Sequence, residues 1–476
     1  MVIDAFLLSR IQFAFTVSFH IVFPAFTIGL SAYIATLLGL WLKTGDVKFH
    51  TLARFWTKIF AVSFAMGVVS GIVLSYQFGT NWSRFSVAVG NVIGPLIGYE
   101  VLTAFFLEAS FLGVMLFGWK RVPPWLHFLS ACIVAGGTAL SGFWILSANS
   151  WMQFPTGHEM RDGIAYPVDW MQIIFNPTFP MRFMHMMTAA YLTTAFVVLA
   201  TGARHLLVGH STESARTMVR MAILMIALTA PLQVVIGHRH GEDTAKYQPA
   251  KLAAIEAHWD SSKPAPLVLF AWPDEEKGVN RFEIAIPGLA SLVTHGSMDA
   301  LFPSLNDFAI EDRPPVKIPF FGFRIMVGIG FFMIAFGWLG AWLWWRGRVF
   351  EERRWLWVAQ YTWPLGFVAI LAGWFVTEVG RQPWIATGVL RSKDAISPVT
   401  AGQVAISLGL FVCVYCVVFS AGVVLINRLI DKGPDAITLQ DPPEQPSQRP
   451  LKAAQAPASD LFGDGNPGDD RIQPAS

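Results

Sequence analysis

The chain is predicted to be an all-α integral membrane protein, with about nine transmembrane helices and a long extracytoplasmic loop between the sixth and seventh. Three observations predict this. Hydrophobic residues fill 54% of the 476 positions and charged residues only 14%, where soluble domains carry roughly 25% charged residues. Apolar runs of bilayer length, about 20 residues each, recur along the chain. Basic residues collect in the short connections between those runs.

The first run, 12–41, follows an N-terminus (MVIDAFLLSRIQFAF) that lacks a basic n-region and an A-x-A cleavage site. It continues past the length of a signal peptide and is read as a retained first helix. Further spans are expected near 54–78, 95–119, 125–148, 180–203, 217–236, 319–345, 355–378 and 400–427. Residues 237–318 form a long polar connection, a type usually functional or disordered. From Lys432 on, Pro, Gln, Ala and Asp dominate without periodicity, and a disordered cytoplasmic tail is expected. The chain thus divides into helices one to six (1–236), the outer loop (237–318), helices seven to nine (319–431) and the tail (432–476).

Charge distribution sets the orientation. Lys43, Lys48, Arg54, Lys120, Arg121, Arg204, Arg216, Arg346, Arg348, Arg353 and Arg354 follow odd-numbered spans. The short opposite loops hold Arg84, Arg161, Arg381, Arg391 and Lys393, a count of eleven against five. The positive-inside rule then puts the N-terminus and the long loop outside and the C-terminus in the cytoplasm.

Several function classes drop out. A net charge of +2, evenly spread, offers nothing to a nucleic acid. Cys132, Cys413 and Cys416 imply no disulfide framework, and the Cys413-x-x-Cys416 pair sits in an apolar run with no second pair to complete a zinc site. No internal repeat supports the inverted-repeat architecture of many transporters.

Ionisable groups within the spans carry the chemistry. A charge at the bilayer centre costs about 2.5–3.5 kcal/mol on insertion scales, so each one asks for a reason. His20 and His185 fall inside helices one and five, Glu100 and Glu108 inside helix three, and Glu378 at the end of helix eight. An isolated histidine of this kind is most simply a hydrogen-bonded interface residue. Glu100 and Glu108 lie on one broad side, about 12 Å apart along the axis, a step suited to a proton relay through waters. With the N-terminus outside, His20, Glu100, His185, Met326 and Glu378 gather from five helices into the outer half of the membrane. A relay alone needs no methionine, whereas a low-spin haem takes a His/Met pair. Arg324, two residues before Met326, would neutralise a haem propionate or snorkel to the interface.

At these residues the sequence resembles subunit I of the cytochrome bd ubiquinol oxidases. The matching stretches are SRIQFAFTVSFH, YQFGTNWSRFS, GYEVLTAFFLEASF, ILSANSWMQFP, FMHMMTAAY, KLAAIEAHW, FRIMVG and GWFVTEVGRQPW, in order from residue 9 to 384. The resemblance implies His185 and Met326 as axial ligands of a low-spin haem b. It implies His20 and Glu378 as axial ligands at two further haems of the oxygen-reducing centre: a high-spin haem b, and a third that is haem d or haem b in its place. Glu100 and Glu108 match the proton route, while Arg324, Trp374, Arg381 and Trp384 match the haem surroundings. Lys251, Glu256 and Gln248 match the quinol site of the outer loop. That loop is short and opens with GHRHGED, which resembles the short-loop, cyanide-insensitive branch.

The function so implied is oxidation of membrane quinol and reduction of O₂ to water, generating proton motive force without pumping, in a bacterial inner membrane. A second membrane subunit (subunit II) and a small single-helix subunit would be its partners, with lipid around them. Two rivals keep the buried Glu and His residues: a proton-coupled transporter, and a membrane cytochrome b that only relays electrons.

Overall fold

A computed structural model describes residues 4–439. Eight of its helices are long and apolar enough to cross a membrane, and a bent pair makes a ninth candidate. In chain order they begin with α1 (Ala5–Thr44), α2 (Val47–Thr80) and α3 (Ser83–Glu100), which runs through a π-helical turn (Val101–Phe105) into α4 (Phe106–Phe117). Helix α5 (Pro124–Gln153) leads through the hairpin β1 (His158–Arg161) and β2 (Ile164–Pro167) and short α6 (Trp170–Ile174) to α7 (Phe179–Val208) and α8 (Thr212–Tyr247). The following connection holds α9 (Pro249–Glu256), the hairpin β3 (Leu267–Asp274) and β4 (Val279–Ile286), and α10 (Leu289–His295). Then come α11 (Lys317–Trp345), α12 (Arg353–Ala359), α13 (Pro364–Val379), the small pair β5 (Trp384–Ala386) and β6 (Leu390–Arg391), and α14 (Ala401–Leu439).

Local chemistry sets the boundaries. Asp4 caps α1 by accepting the Leu7 N–H, and Gly45, in the left-handed region at φ 70°, closes it by donating to Trp41 O. Asp46 caps α2 through the Lys48 N–H, and Pro124 opens α5 at a position that needs no N–H. Small residues let the spans approach closely. A Cβ on Gly29 of α1 would lie 2.7 Å from Ala190 O of α7, and one on Gly366 of α13 would lie 2.7 Å from Thr193 Cβ.

The eight expected spans other than the eighth appear as continuous helices, all longer than their apolar windows. The eighth is broken: α12 and α13 meet at 41°. Pro364 begins α13 and has no N–H with which to continue the hydrogen bonding of the earlier helix. Helix α8 runs to Tyr247, past the boundary at 236 that apolarity suggests, because GHRHGEDTAKY continues as helix beyond the apolar run. Helix α14 likewise extends to Leu439, so the tail expected from Lys432 begins as helix with a kink at Gly433, and 440–476 lie outside the described residues. Cys413 and Cys416 are exposed free thiols on α14.

Alternating helix direction sends the ends of α2, α5, α8 and α13 and the starts of α3, α7, α11 and α14 to one end of the bundle. The connections bind each other there: Ser83 N–H donates to Ser397 Oγ, Thr387 N–H to Met152 O, and Arg391 pairs with Asp312 at 2.7 Å. The polar site is built at this end.

Candidate functional site

Helix ends α5, α7 and α13 bring polar side chains together next to a cavity of about 1090 Å³. His20 of α1, Glu100 and Glu108 of the α3–α4 segment, and Trp374 and Glu378 of α13 line it, with Arg381 just beyond α13. The five groups expected in the outer half therefore divide: His20, Glu100 and Glu378 share this cavity, whereas His185 and Met326 are not part of its lining.

His20 is oriented by α2. Its Nδ1 is 3.0 Å from Ser70 Oγ, and Ser70 donates its own proton to Gly67 O at 2.9 Å. The Ser70 oxygen is left to accept from Nδ1–H, which makes Nε2 the free lone pair of the ring. One residue on, a Cβ at Gly71 would stand 3.1 Å from His20 Cε1, so glycine there makes room for the ring.

Glu100 accepts from Ser141 Oγ at 2.7 Å, and Glu108 packs against Gly137, one turn earlier on α5. Eight residues of unbroken α-helix would separate the two carboxylates by about 80° around the axis. The π-helical turn between them absorbs one residue, which reduces the offset to about 20°. Both carboxylates therefore face α5 and the cavity. Glu108 is buried, and its Oε1 has no hydrogen-bond partner among the described residues.

Glu378 sits in a dense polar network. Its Oε1 accepts from Asn149 Nδ2 at 2.9 Å and Gln153 Nε2 at 3.3 Å, and its Oε2 pairs with Arg381. Arg182, one turn before His185, donates to Ser150 Oγ at 3.1 Å and to Asn149 Oδ1. Arg381 is 6% exposed, yet its Nε and Nη1 have no partner among the described residues. Burial pushes the Arg381 guanidinium below its usual range, and Glu378 pulls it back up.

His185 faces a stripe of α8. Gln233 Nε2 lies 3.3 Å from both ring nitrogens, a Cβ at Gly237 would lie 3.2 Å from Cε1, and the His240 ring is 5.5 Å away. Residues 233, 237 and 240 share one helix face. Met326 of α11 packs its sulfur against Gly373 of α13, where a Cβ would come within 2.8 Å.

The residues of the connection between α8 and α11 that the resemblance singles out are buried or half-buried. Lys251 and Glu256 are each 5% exposed on α9. Lys251 Nζ donates to Gln248 Oε1 at 2.8 Å and to Gln153 Oε1, and Gln248 Nε2 also donates to Gln153 Oε1 at 2.9 Å. Burial pushes the lysine pKa well down; Arg182 and Arg381 push the same way, and Glu378 opposes them. Glu256 pairs with Arg324 at 2.9 Å. Arg324 also donates to Ile255 O, Phe320 O and Val268 O. It is therefore neither snorkelling nor free for a propionate: loop carboxylate and carbonyls consume its donors. Trp384 stacks under Arg391, whose guanidinium is 4.7 Å from the ring centroid, outside the cavity lining.

The model of the cytochrome bd terminal oxidase subunit I family matches residues 8–434. The chain belongs to that family. Cytochrome bd ubiquinol oxidase subunit 1 of Bacillus subtilis is 36% identical, covering 92% of this chain and 96% of the relative. Cytochrome bd-II ubiquinol oxidase subunit 1 of Escherichia coli is 32% identical over 93% and 99%. The bd oxidase structure from Geobacillus thermodenitrificans superposes with a TM-score of 0.84 at 31% identity, covering 90% of this chain and 99% of that one. The chain is thus a haem-carrying, multi-pass membrane subunit of a bacterial quinol oxidase that works with a membrane partner subunit. Both rivals, transporter and passive cytochrome, are set aside.

The residues present fit haem. Among the described residues no three His, Cys, Asp or Glu side chains converge as a clustered metal site requires; a haem needs only axial ligands. His20, His185 and Met326 each pack against a glycine of a neighbouring helix, which lets the donor-bearing side chain lie close to that helix without a clash. The cavity exceeds the usual 300–1,000 Å³ of a single ligand pocket, and Arg381 Nε and Nη1, without a partner among the described residues, suit an anionic group. Gly373→Ala would place a methyl against the Met326 sulfur. The expected result is a folded oxidase whose low-spin haem band is shifted or diminished; an unaltered band would remove Met326 from ligation.

Arg182, Asn149, Gln153, Gln233 and His240 were not singled out from sequence. Gln153 and Asn149 lie within ILSANSWMQFP, and His240 within GHRHGED, so the motifs were visible but the partners were not. Arg182 carries a readable signal: a cation one helical turn before a buried histidine.

Proposed function

We propose that this subunit oxidises quinol at the α9 loop and directs electrons and protons to an oxygen-reducing centre in the α1–α5–α13 cavity. When bound, haem supplies the one-electron carriers and the iron at which O₂ is reduced. His185 and Met326 would hold a low-spin haem b. His20 and Glu378 would ligate the two remaining haems, a high-spin b and a d or second b. Arg182 and Arg381 would face propionates, and Trp374 would lie between haems. Glu108 and then Glu100 would carry protons from the cytoplasm, while quinol protons leave on the outer side, separating charge without a pump. The observation that carries this is the convergence of His20, Glu100, Glu108, Trp374, Glu378 and Arg381 on one cavity, with Lys251 hydrogen-bonded to Gln153, which in turn donates to Glu378.

We assign the loop to the short, cyanide-insensitive branch. In support, the Escherichia coli alignment spans 510 positions against 476 residues here, so that relative carries segments this chain lacks. Subunit II and a small single-helix subunit are the proposed partners, and the N-terminus and loop are proposed to be periplasmic.

The test is quinol kinetics. Lys251→Ala removes a buried hydrogen-bond donor and is expected to raise KM for quinol about ten-fold. Glu256→Ala removes the proposed proton acceptor and leaves Arg324 buried without its carboxylate, so kcat should fall about ten-fold or more. Oxygen uptake with duroquinol reads both, and spectra of the same preparations should show every haem band. Unaltered kinetics in both variants would move the quinol site elsewhere.

A further inference from the structure

Gln153 is fully buried at the last residue of α5, between two elements with separate proposed roles. On one side, its carbonyl oxygen accepts from Lys251 Nζ of α9 and from Gln248 Nε2. On the other, its amide nitrogen donates to Glu378 Oε1 of α13. Its backbone carbonyl also accepts from Gln248 Nε2 at 3.0 Å. An ammonium only donates and a carboxylate only accepts, so a single amide orientation serves both neighbours. No other described side chain hydrogen-bonds both Lys251 and Glu378. Asn149 and Arg381 bond Glu378 but not Lys251, and Gln248 bonds Lys251 but not Glu378.

The packing around this bridge is tight. The Lys251 stem lies against Gly380, where a Cβ would stand 3.0 Å from Lys251 Cγ, so the lysine is seated on the residue that ends α13. A group that draws Lys251 Nζ away therefore removes one of the two side-chain donors to the Gln153 carbonyl, leaving Gln248 Nε2, and the change reaches Glu378 through the same amide. Hydrogen bonds to a ligating carboxylate set its donor strength.

Taking Lys251 as the quinol-site lysine and Glu378 as a haem ligand, as proposed above, we infer that Gln153 is a positioning residue that couples occupancy of the quinol site to the carboxylate of Glu378. It touches neither oxygen nor the reacting quinol carbons. It makes the iron held at Glu378 responsive to whether Lys251 is engaged.

The experiment uses the whole oxidase complex and heptyl-hydroxyquinoline N-oxide, a quinol analogue that is not oxidised. In the wild type, the analogue is expected to shift the absorption of the haem at Glu378. Gln153→Met keeps the length and apolar volume but neither hydrogen bond. It should bind the analogue within about two-fold of wild type, read by inhibition of duroquinol oxidation, and lose the shift. Gln153→Glu keeps an acceptor for Lys251 but no donor for Glu378, and should lose the shift as well; it serves if the methionine variant does not assemble. Gln153→Asn, one methylene short, should not restore the shift. A shift that persists in a variant able to bind the analogue overturns the coupling. So does loss of analogue binding in both the Met and Glu variants, since Gln153 would then belong to the quinol site itself. Lys251→Ala run in parallel separates the two ideas: if its quinol KM is unchanged, the quinol-site assignment fails, whatever Gln153 does.

Discussion

Replacing His185 with alanine is expected to abolish the low-spin haem signal and cut quinol-driven oxygen uptake more than about 100-fold, beyond the 10- to 100-fold typical of losing a residue that merely supports a metal ligand. Met326→Ala should leave the haem bound on one side and convert it to a high-spin spectrum. The difference follows from the surroundings. The His185 ring hydrogen-bonds Gln233 and packs against Gly237 of α8, and a methyl in its place leaves no donor at that position. Met326 is a flexible thioether against Gly373, and water or a small ligand enters when it is shortened. Both variants should retain the haem signals of the proposed His20 and Glu378 sites, whose side chains lie in a cavity lined by neither His185 nor Met326. Low-temperature difference spectra of purified complex settle the matter: unchanged low-spin bands in both variants would refute the ligand pair.

How far the sequence reveals this molecule depends on the range of each interaction. Spans are legible because bilayer thickness fixes the length of an apolar run, whereas the break before α13 is not, since the apolar run 355–378 continues across Pro364. The end of α8 is not legible, since a polar helix outside the apolar window has the composition of a loop. The histidines on α1 and α7 are legible as expensive residues without explanation, and Met326 on α11 is not. Their partners are not: Arg324 meets Glu256 across 68 positions, and Gln153 meets Glu378 across 225. Burial of Lys251 and Glu256 is hidden for the same reason, because the α9 sequence does not tell what covers it. The π-helical turn at Val101–Phe105 leaves no compositional mark at all, yet it decides which way Glu108 points.

That turn makes the second large effect specific. Glu108→Gln keeps the shape of the side chain but cannot release a proton, and Glu108→Ala removes it. Both are expected to lower oxygen reduction about 100-fold, the lower range for losing a positioned proton-transfer group. The low-spin haem should be retained and still reducible by quinol, because electron entry does not pass through α4. Glu108 has one oxygen without a partner in a buried site, an arrangement that costs stability and is expected where a proton must be taken up and passed on. Glu100 stands next along the same face, held by Ser141 on α5. Gly137 supplies an independent check, since a methyl there would sit 2.7 Å from Glu108 Cγ and swing the carboxylate out of line. Gly137→Ala should therefore reproduce the slow turnover with the carboxylate chemically intact. Stopped-flow reduction followed by an oxygen pulse separates the steps: haem reduction at the wild-type rate with slowed reoxidation is the expected outcome. Wild-type reoxidation in Glu108→Gln would rule out a proton route through this residue.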